Sequence, residues 1–267
     1  DEVVVAGGAG DNAASAIGIG ATQPGDGFIS LGTSGVLFVV NDRYRPNPAS
    51  AVHAFCHALP GRWHQMSVIL SAASCLKWFV RISGAADETA LLTELAALPP
   101  GALHDAPLFL PYLAGERTPH NNPFAKAGLH DMTHATTRAH CTYAVLEGVA
   151  FALCDGLAAL QEAGTEVQQL SLVGGGARSR LWAQLLADAL NVEILVSAGG
   201  DAGGALGAAR LGWLAAGGDE AQVCAKPEVA ARYVADAARH RELQGRLQRF
   251  RDLYRRIGVA PGSGAAR

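Results

Sequence analysis

Asp11 follows the run Ala6-Gly7-Gly8-Ala9-Gly10 and precedes Asn12 and a stretch of small residues. A carboxylate placed between a glycine turn and a helix has two uses. It can cap the helix, or it can take a proton from a substrate hydroxyl in the space that small side chains leave. Both uses stay open on the residues alone. Two more glycine runs carry polar chemistry. Gly32-Thr33-Ser34-Gly35 joins two apolar segments, and its residues offer close backbone approach together with two hydroxyls that can donate to phosphate oxygens. Gly174-Gly175-Gly176 follows Leu170-Ser171-Leu172-Val173 and precedes a segment with apolar residues at helical spacing. Such a strand, glycine turn and helix suits an anion, because unpaired backbone N–H groups and the positive end of the helix dipole converge where no Cβ stands in the way.

The elements that would hold these residues can be read from periodicity. Val3 to Ala6 reads as a buried strand, and residues 13–20 as a helix with Asp11 or Asn12 at its start. Phe28 to Leu31 and Val36 to Val40 read as two strands of a hairpin. Residues 41–60 are loop-rich. Residues 67–82 predict a helix with Ile69, Ala72, Leu76 and Phe79 as its stripe, and residues 86–98 a second. Leu108-Phe109-Leu110 is a short strand, and the polar loop 111–123 after it includes Glu116 beside Arg117, which reads as a solvated pair. The longest helix spans 137–163, with Leu146, Val149, Leu153, Leu157 and Leu160 aligned. After Val173, the spacing of Leu181, Trp182, Leu185, Leu186, Ala189 and Leu190 gives a two-row helix, followed by a strand at 192–196. A helix ending near Gly217 then has Asp201 as its expected cap. A terminal helix over 235–257 buries Leu243, Leu247, Phe250, Tyr254 and Ile257 and turns its arginines outward, and residues 261–267 are expected to be disordered.

Composition narrows the classes. With 267 residues, 49% of them hydrophobic and 17% charged, the chain can bury a sizeable core. A net charge of -3 gives no basis for binding nucleic acid or a membrane surface. The cysteines 56, 75, 141, 154 and 224 form no Cys-x-x-Cys pair and fit buried thiols in a reducing compartment, which predicts the cytoplasm. His53 and His57 stand four apart, but no further residue has metal-ligand spacing around them. The segment Gly8-x-Gly10-x-x-Ala13 satisfies a dinucleotide fingerprint, yet the acidic residue expected about twenty positions on is Asp26, which sits in the turn Pro24-Gly25-Asp26-Gly27. The sequence contains no Walker-type loop and no Gly-x-Ser-x-Gly elbow. The start, Asp1-Glu2-Val3-Val4-Val5, predicts that this is the later part of a longer protein.

Five stretches together resemble the FGGY family of carbohydrate kinases: Ala6 to Ala14, Ser30 to Val36, Pro111 to His120, Val145 to Val149 and Gly174 to Ser179. The segment from Ala51 to Trp78 resembles the xylulose branch more than the glycerol or gluconate branches. The resemblance implies an α/β, ribonuclease-H-like lobe of the actin, Hsp70 and sugar kinase superfamily, with a mixed sheet flanked by helices. It assigns residues 1–257 to the C-terminal, nucleotide-binding lobe and 258–267 to a flexible tail. The N-terminal, sugar-binding lobe, which carries an Asp-x-Gly-Thr loop in the family, is then expected to be absent from this chain. By the same resemblance Asp11 is the general base, and Gly32, Thr33 and Ser34 hold the β- and γ-phosphates of ATP. Gly174, Gly175 and Gly176 lie along the α-phosphate and ribose, Arg180 stands near the adenine, and Mg²⁺ bridges phosphate oxygens. The implied partners are D-xylulose or a related pentulose and ATP, with no nucleic acid and no membrane; the resemblance also allows a homodimer. Two alternatives remain open at this point: a family kinase for another pentulose or sugar alcohol, and a non-catalytic actin-like nucleotide-binding domain.

Overall fold

In a computed structural model, residues 3–99, 101–198 and 203–257 are described. The strands β1 (Gly27–Leu31), β2 (Gly35–Asn41), β3 (His53–Cys56) and β4 (Trp63–Ile69) are joined in antiparallel pairs. They share one seven-stranded sheet with β7 (Gln169–Val173), β8 (Glu193–Ser197) and β9 (Val229–Tyr233), in the order β3-β4-β2-β1-β7-β8-β9. β1 pairs with β7 in parallel, and β7 with β8 likewise, whereas β9 closes the edge antiparallel. A separate pair, β5 (Leu108–Leu110) and β6 (Gly128–His130), completes the strands.

Alternation along the strands divides the core. Ile29 and Leu31, Leu37 and Val39, and Leu170 and Leu172 face the main core. Phe28, Phe38, Val40 and Val173 face the other side. The main core packs on α4 (Arg138–Glu162) and α5 (Arg180–Leu190), with α2 (Ala73–Ser83), α3 (Glu88–Ala96) and α8 (Ala237–Ile257) around them. Trp182 of α5 is buried and donates its indole N–H to the Leu146 carbonyl of α4 at 3.1 Å, which fixes the two helices against each other. The opposite face is covered by α1 (Asp11–Gly18) crossed by α6 (Gly203–Ala215), and the short α7 (Glu220–Val223) follows. The α1–α6 crossing needs glycine on both helices. A Cβ on Gly18 would come 1.9 Å from the Gly203 carbonyl oxygen, and one on Gly207 1.7 Å from that of Ala14.

Several expectations need correction. Val3 to Ala6 form no strand, and Val3 and Val5 are 81% and 89% exposed. Both neighbours of β1 are already taken by β2 and β7, so the segment finds no place in the centre of the sheet. Residues 67–69, expected to begin a helix, are the end of β4, and the helix begins only at Ala73. The loop-rich segment 41–60 contains β3. In α8, Arg246 points inward, where its Nε and Nη2 meet the Glu147 carboxylate at 2.6 and 2.7 Å, and Ile257 is exposed instead. Asp201 and residues 258–267 lie outside the described residues.

Candidate functional site

The turn between β1 and β2 is shaped by the helix that follows β4. Ala72 and Ala73 donate their amides to the carbonyls of Thr33 and Gly32 at 2.9 and 2.8 Å, and the Ser74 hydroxyl donates to the Thr33 carbonyl at 2.6 Å. These contacts cap α2, whose N-cap residue Ala72 makes no side-chain cap bond. They also orient the turn. In a planar trans peptide the N–H points opposite to the C=O, so carbonyls of Gly32 and Thr33 directed at α2 turn the amides of Thr33 and Ser34 away from it. The two side chains are exposed, and Gly32 closes the turn by donating to the Ser34 carbonyl at 3.1 Å. Two outward amides beside two hydroxyls are donors of the kind that bind anions.

The second glycine corner rests on the same strand. Gly174 adopts φ 90°, and a Cβ there would come 2.9 Å from the Leu31 carbonyl oxygen. A Cβ on Gly176 would come 2.4 Å from Leu31 Cδ2, whereas one on Gly175 would meet nothing within 4 Å. Leu31 immediately precedes Gly32, so the two corners are neighbours with a common floor. Between the corner and α5 the chain makes a 3₁₀ turn, Gly175–Arg178, and Ser179 then caps the helix by accepting from the Trp182 amide at 3.2 Å. This corrects the expectation that the first turn of α5 opens directly over the glycines. The residues of the corner belong to the start of the 3₁₀ turn, and Arg180, the exposed first residue of α5, stands beyond it.

Asp11 is the first residue of α1, with Gly10 in the cap position, so it is not itself the cap. Its Oδ1 accepts from the amide and side chain of Asn12 at 2.8 and 3.2 Å, and Oδ2 has no hydrogen-bond partner among the described residues. Two contacts fix the ends of α1. Gly20, just past the end of α1, packs on Lys226, and Lys226 pairs with Asp26 at the start of β1. The end of α1 is therefore held beside the start of β1. The start of α6, a short connection after β8, lies against its other end: a Cβ on Gly204 would lie 4.0 Å from the Asp11 carbonyl oxygen. The carboxylate also sits at the positive end of the α1 dipole.

Glu116 differs from its expected solvated state. It is 2% exposed, and its Oε1 accepts from the amides of Leu70 and Arg117 at 2.9 and 2.7 Å, while Oε2 is buried without a partner among the described residues. Burial raises its pKa to about 7, against the lowering effect of those two amides and of the Arg117 charge. The tight Gly115, at φ 76° and backed onto Pro123, folds the loop inward and is the one local signal in the sequence for this burial. Arg117 is exposed and reaches His53 Nε2 at 3.1 Å, whereas His57 is buried and accepts from the Leu59 amide through Nδ1, so the two histidines serve different partners. A cavity of about 630 Å³ includes none of the predicted site residues; it is lined by Asp26, Asn41, Arg45, Gln169, Ser171 and Lys226 among others.

Comparison with known proteins shows the family. Residues 27–216 match the FGGY family of carbohydrate kinases, C-terminal domain. The chain is 46% identical over 256 residues to the xylulose kinase of Escherichia coli strain K12, covering 95% of this chain and 52% of that one. It is 49% identical over 213 residues to the xylulose kinase of Klebsiella pneumoniae, covering 79% and 43%. Among solved structures, a xyloylose (xylulose) kinase from Brucella ovis superposes with a TM-score of 0.89 at 49% identity, covering 94% of this chain and 52% of that one. The chain thus spans about half the length of the relatives it matches. Its mixed sheet with helices on both faces is the ribonuclease-H-like fold of the actin, Hsp70 and sugar kinase superfamily. A sheet of this order, two glycine corners on one leucine and the match over most of the length make the chain a member of the FGGY family of carbohydrate kinases, in the part that forms their C-terminal domain.

Proposed function

We propose that residues 1–257 are the nucleotide-binding lobe of a two-lobed kinase that transfers the γ-phosphoryl group of ATP to the C5 hydroxyl of D-xylulose. The outward amides of Thr33 and Ser34, next to a glycine corner seated on the same Leu31, carry this reading. Gly32, Thr33 and Ser34 hold the β- and γ-phosphates, Gly174, Gly175 and Gly176 follow the α-phosphate and ribose, and Arg180 flanks the adenine. Magnesium accompanies the nucleotide and neutralises its phosphate oxygens, which leaves the protein the work of positioning.

Asp11 accepts the proton of the C5 hydroxyl as that oxygen forms its bond to the γ-phosphorus and the bond to the ADP oxygen breaks. The free Oδ2 supports this role. A carboxylate already held by Asn12 on one oxygen keeps the other available, and such proton removal contributes roughly 10²–10⁴ in rate. The identity to xylulose kinases favours a pentulose over other sugars. Five thiols, none of them in a disulfide, support a cytoplasmic setting.

In an enzyme of the relatives' length, Asp11→Ala is expected to abolish phosphoryl transfer while ATP affinity, measured by calorimetric titration, stays within about threefold. Substantial D-xylulose-dependent ADP release by that variant would remove Asp11 from the mechanism.

A further inference from the structure

Glu116 is the one acid of the loop 111–123 and is buried, and the assignments above give it no task. The loop carrying it runs beside the end of β4: the Thr118 amide donates to the Val68 carbonyl at 3.0 Å, and the Thr118 hydroxyl accepts from the Val68 amide at 3.1 Å. Two residues on, Glu116 Oε1 accepts from the Leu70 amide. Two residues further along, the chain enters the Ala72, Ala73 and Ser74 clamp on the carbonyls of Gly32 and Thr33. Leu70 is the last residue before that clamp whose amide is held from outside β4 and α2.

We propose that Glu116 is a positioning residue for the turn 32–34, acting through Leu70 and the Ala72–Ala73 clamp to fix the direction of the Thr33 and Ser34 amides. The carboxylate is well placed for this because its own backbone is locked. The Glu116 amide donates to the Asn122 carbonyl at 2.9 Å, and the Asn122 amide to the Glu116 carbonyl at 2.8 Å. A rigid base holding one acceptor against Leu70 transmits position, whereas a mobile loop would not. The groups facing the carboxylate are Arg117 on its own loop, Tyr112 at the loop's start and Cys75 on α2. Neither Tyr112 nor Cys75 offers a titrating partner near neutral pH, since burial raises both. The consequence for phosphate binding rests on the proposed reading of 32–34; the tie to the clamp does not.

Amide hydrogen exchange on this chain, wild type against Glu116→Gln, Glu116→Ala and Glu116→Asp, tests the assignment. Gln keeps a carbonyl acceptor at the Leu70 amide, Ala removes it, and Asp withdraws it by one methylene while keeping the charge. The expected result is that Ala72 and Ala73 exchange about tenfold faster in the Ala and Asp variants, that Gln restores wild-type protection, and that Leu170 and Leu172 of β7 do not change. Unchanged Ala72 and Ala73 in both shortened variants would overturn the proposal, as would equal loss of protection in β7 or failure of Gln to rescue. Adding MgATP to the wild type separates the two ideas. If residues 32–34 gain no protection while the clamp responds as expected, the nucleotide reading fails and the tie stands.

Discussion

At the residue scale, the three glycines of the second corner are not equivalent. Gly174 and Gly176 are packed onto Leu31, and only Gly175 faces open space. Gly176→Val should therefore destabilise the fold by about 1–3 kcal/mol through overpacking. Gly175→Ala should change stability by no more than about 0.5 kcal/mol. If a phosphate approaches this corner, the same alanine should weaken ATP binding about tenfold, or 1.4 kcal/mol, because its methyl stands where the ligand would. Urea unfolding and a nucleotide titration of the two variants make the comparison, and normal ATP affinity in Gly175→Ala would place the nucleotide elsewhere. The three glycines could be found in the sequence, but their different tasks could not, because the distinction depends on a leucine about 140 residues earlier. Glu116 was hidden for a related reason. A charged residue in a polar loop has every local mark of a solvated one, and only Leu70, from another element, shows it to be inside.

At the scale of elements, the position of Asp11 depends on the α1–α6 crossing more than on any contact of its own side chain. Gly207→Val would drive a side chain into the Ala14 carbonyl and push the helices apart. The expected result in an enzyme of the relatives' length is a kcat lower by on the order of a hundredfold with KM for ATP within about threefold, since the turn 32–34 belongs to other elements. Steady-state kinetics would show the split; an equal rise in KM would mean that α1 and the turn 32–34 move together. Elements with regular periods were readable from the residues alone: the β1–β2 hairpin, α4 and the strand, turn and helix around Gly174. β4 was not, and the cause is specific. His64, Gln65 and Ser67 are polar yet buried, and Gln65 is taken up in a network with Asn41 and Thr165. A strand covered on both faces and carrying internal polar groups loses the alternation by which a strand is recognised.

For the molecule as a whole, buried ionisable groups set how stability responds to pH. His57, His64 and His120 have pKa values lowered by burial to about 4, below the ordinary 6.5. The unfolded chain therefore takes up these three protons first, so their contribution is complete above pH 6.5 and is lost as pH falls towards 4. Glu116 acts in the opposite sense. Folded, it keeps its proton up to about pH 7, above the ordinary 4.5, so its contribution is present at low pH and is lost as pH rises from 4.5 through 7. These histidines, with His53 lowered in the same direction, predict a loss of unfolding free energy between pH 6.5 and 4; Glu116 and the buried Glu147 and Asp155, both raised, oppose it, so Glu116→Gln should steepen it by removing one opposing group. Urea unfolding at pH 7.5, 6 and 5 measures the slope, and a rise in stability on acidification would contradict it. The parallel register of β1 and β7, which sets Ser30 against Val173, has a different consequence. It places one corner after each strand at a fixed separation, like marks on a ruler, and neither strand can slip by a residue without turning its buried leucines to the wrong face. If the two corners hold a polyphosphate as proposed, gripping a longer or shorter one would require reshaped loops, because the sheet itself sets the distance between them.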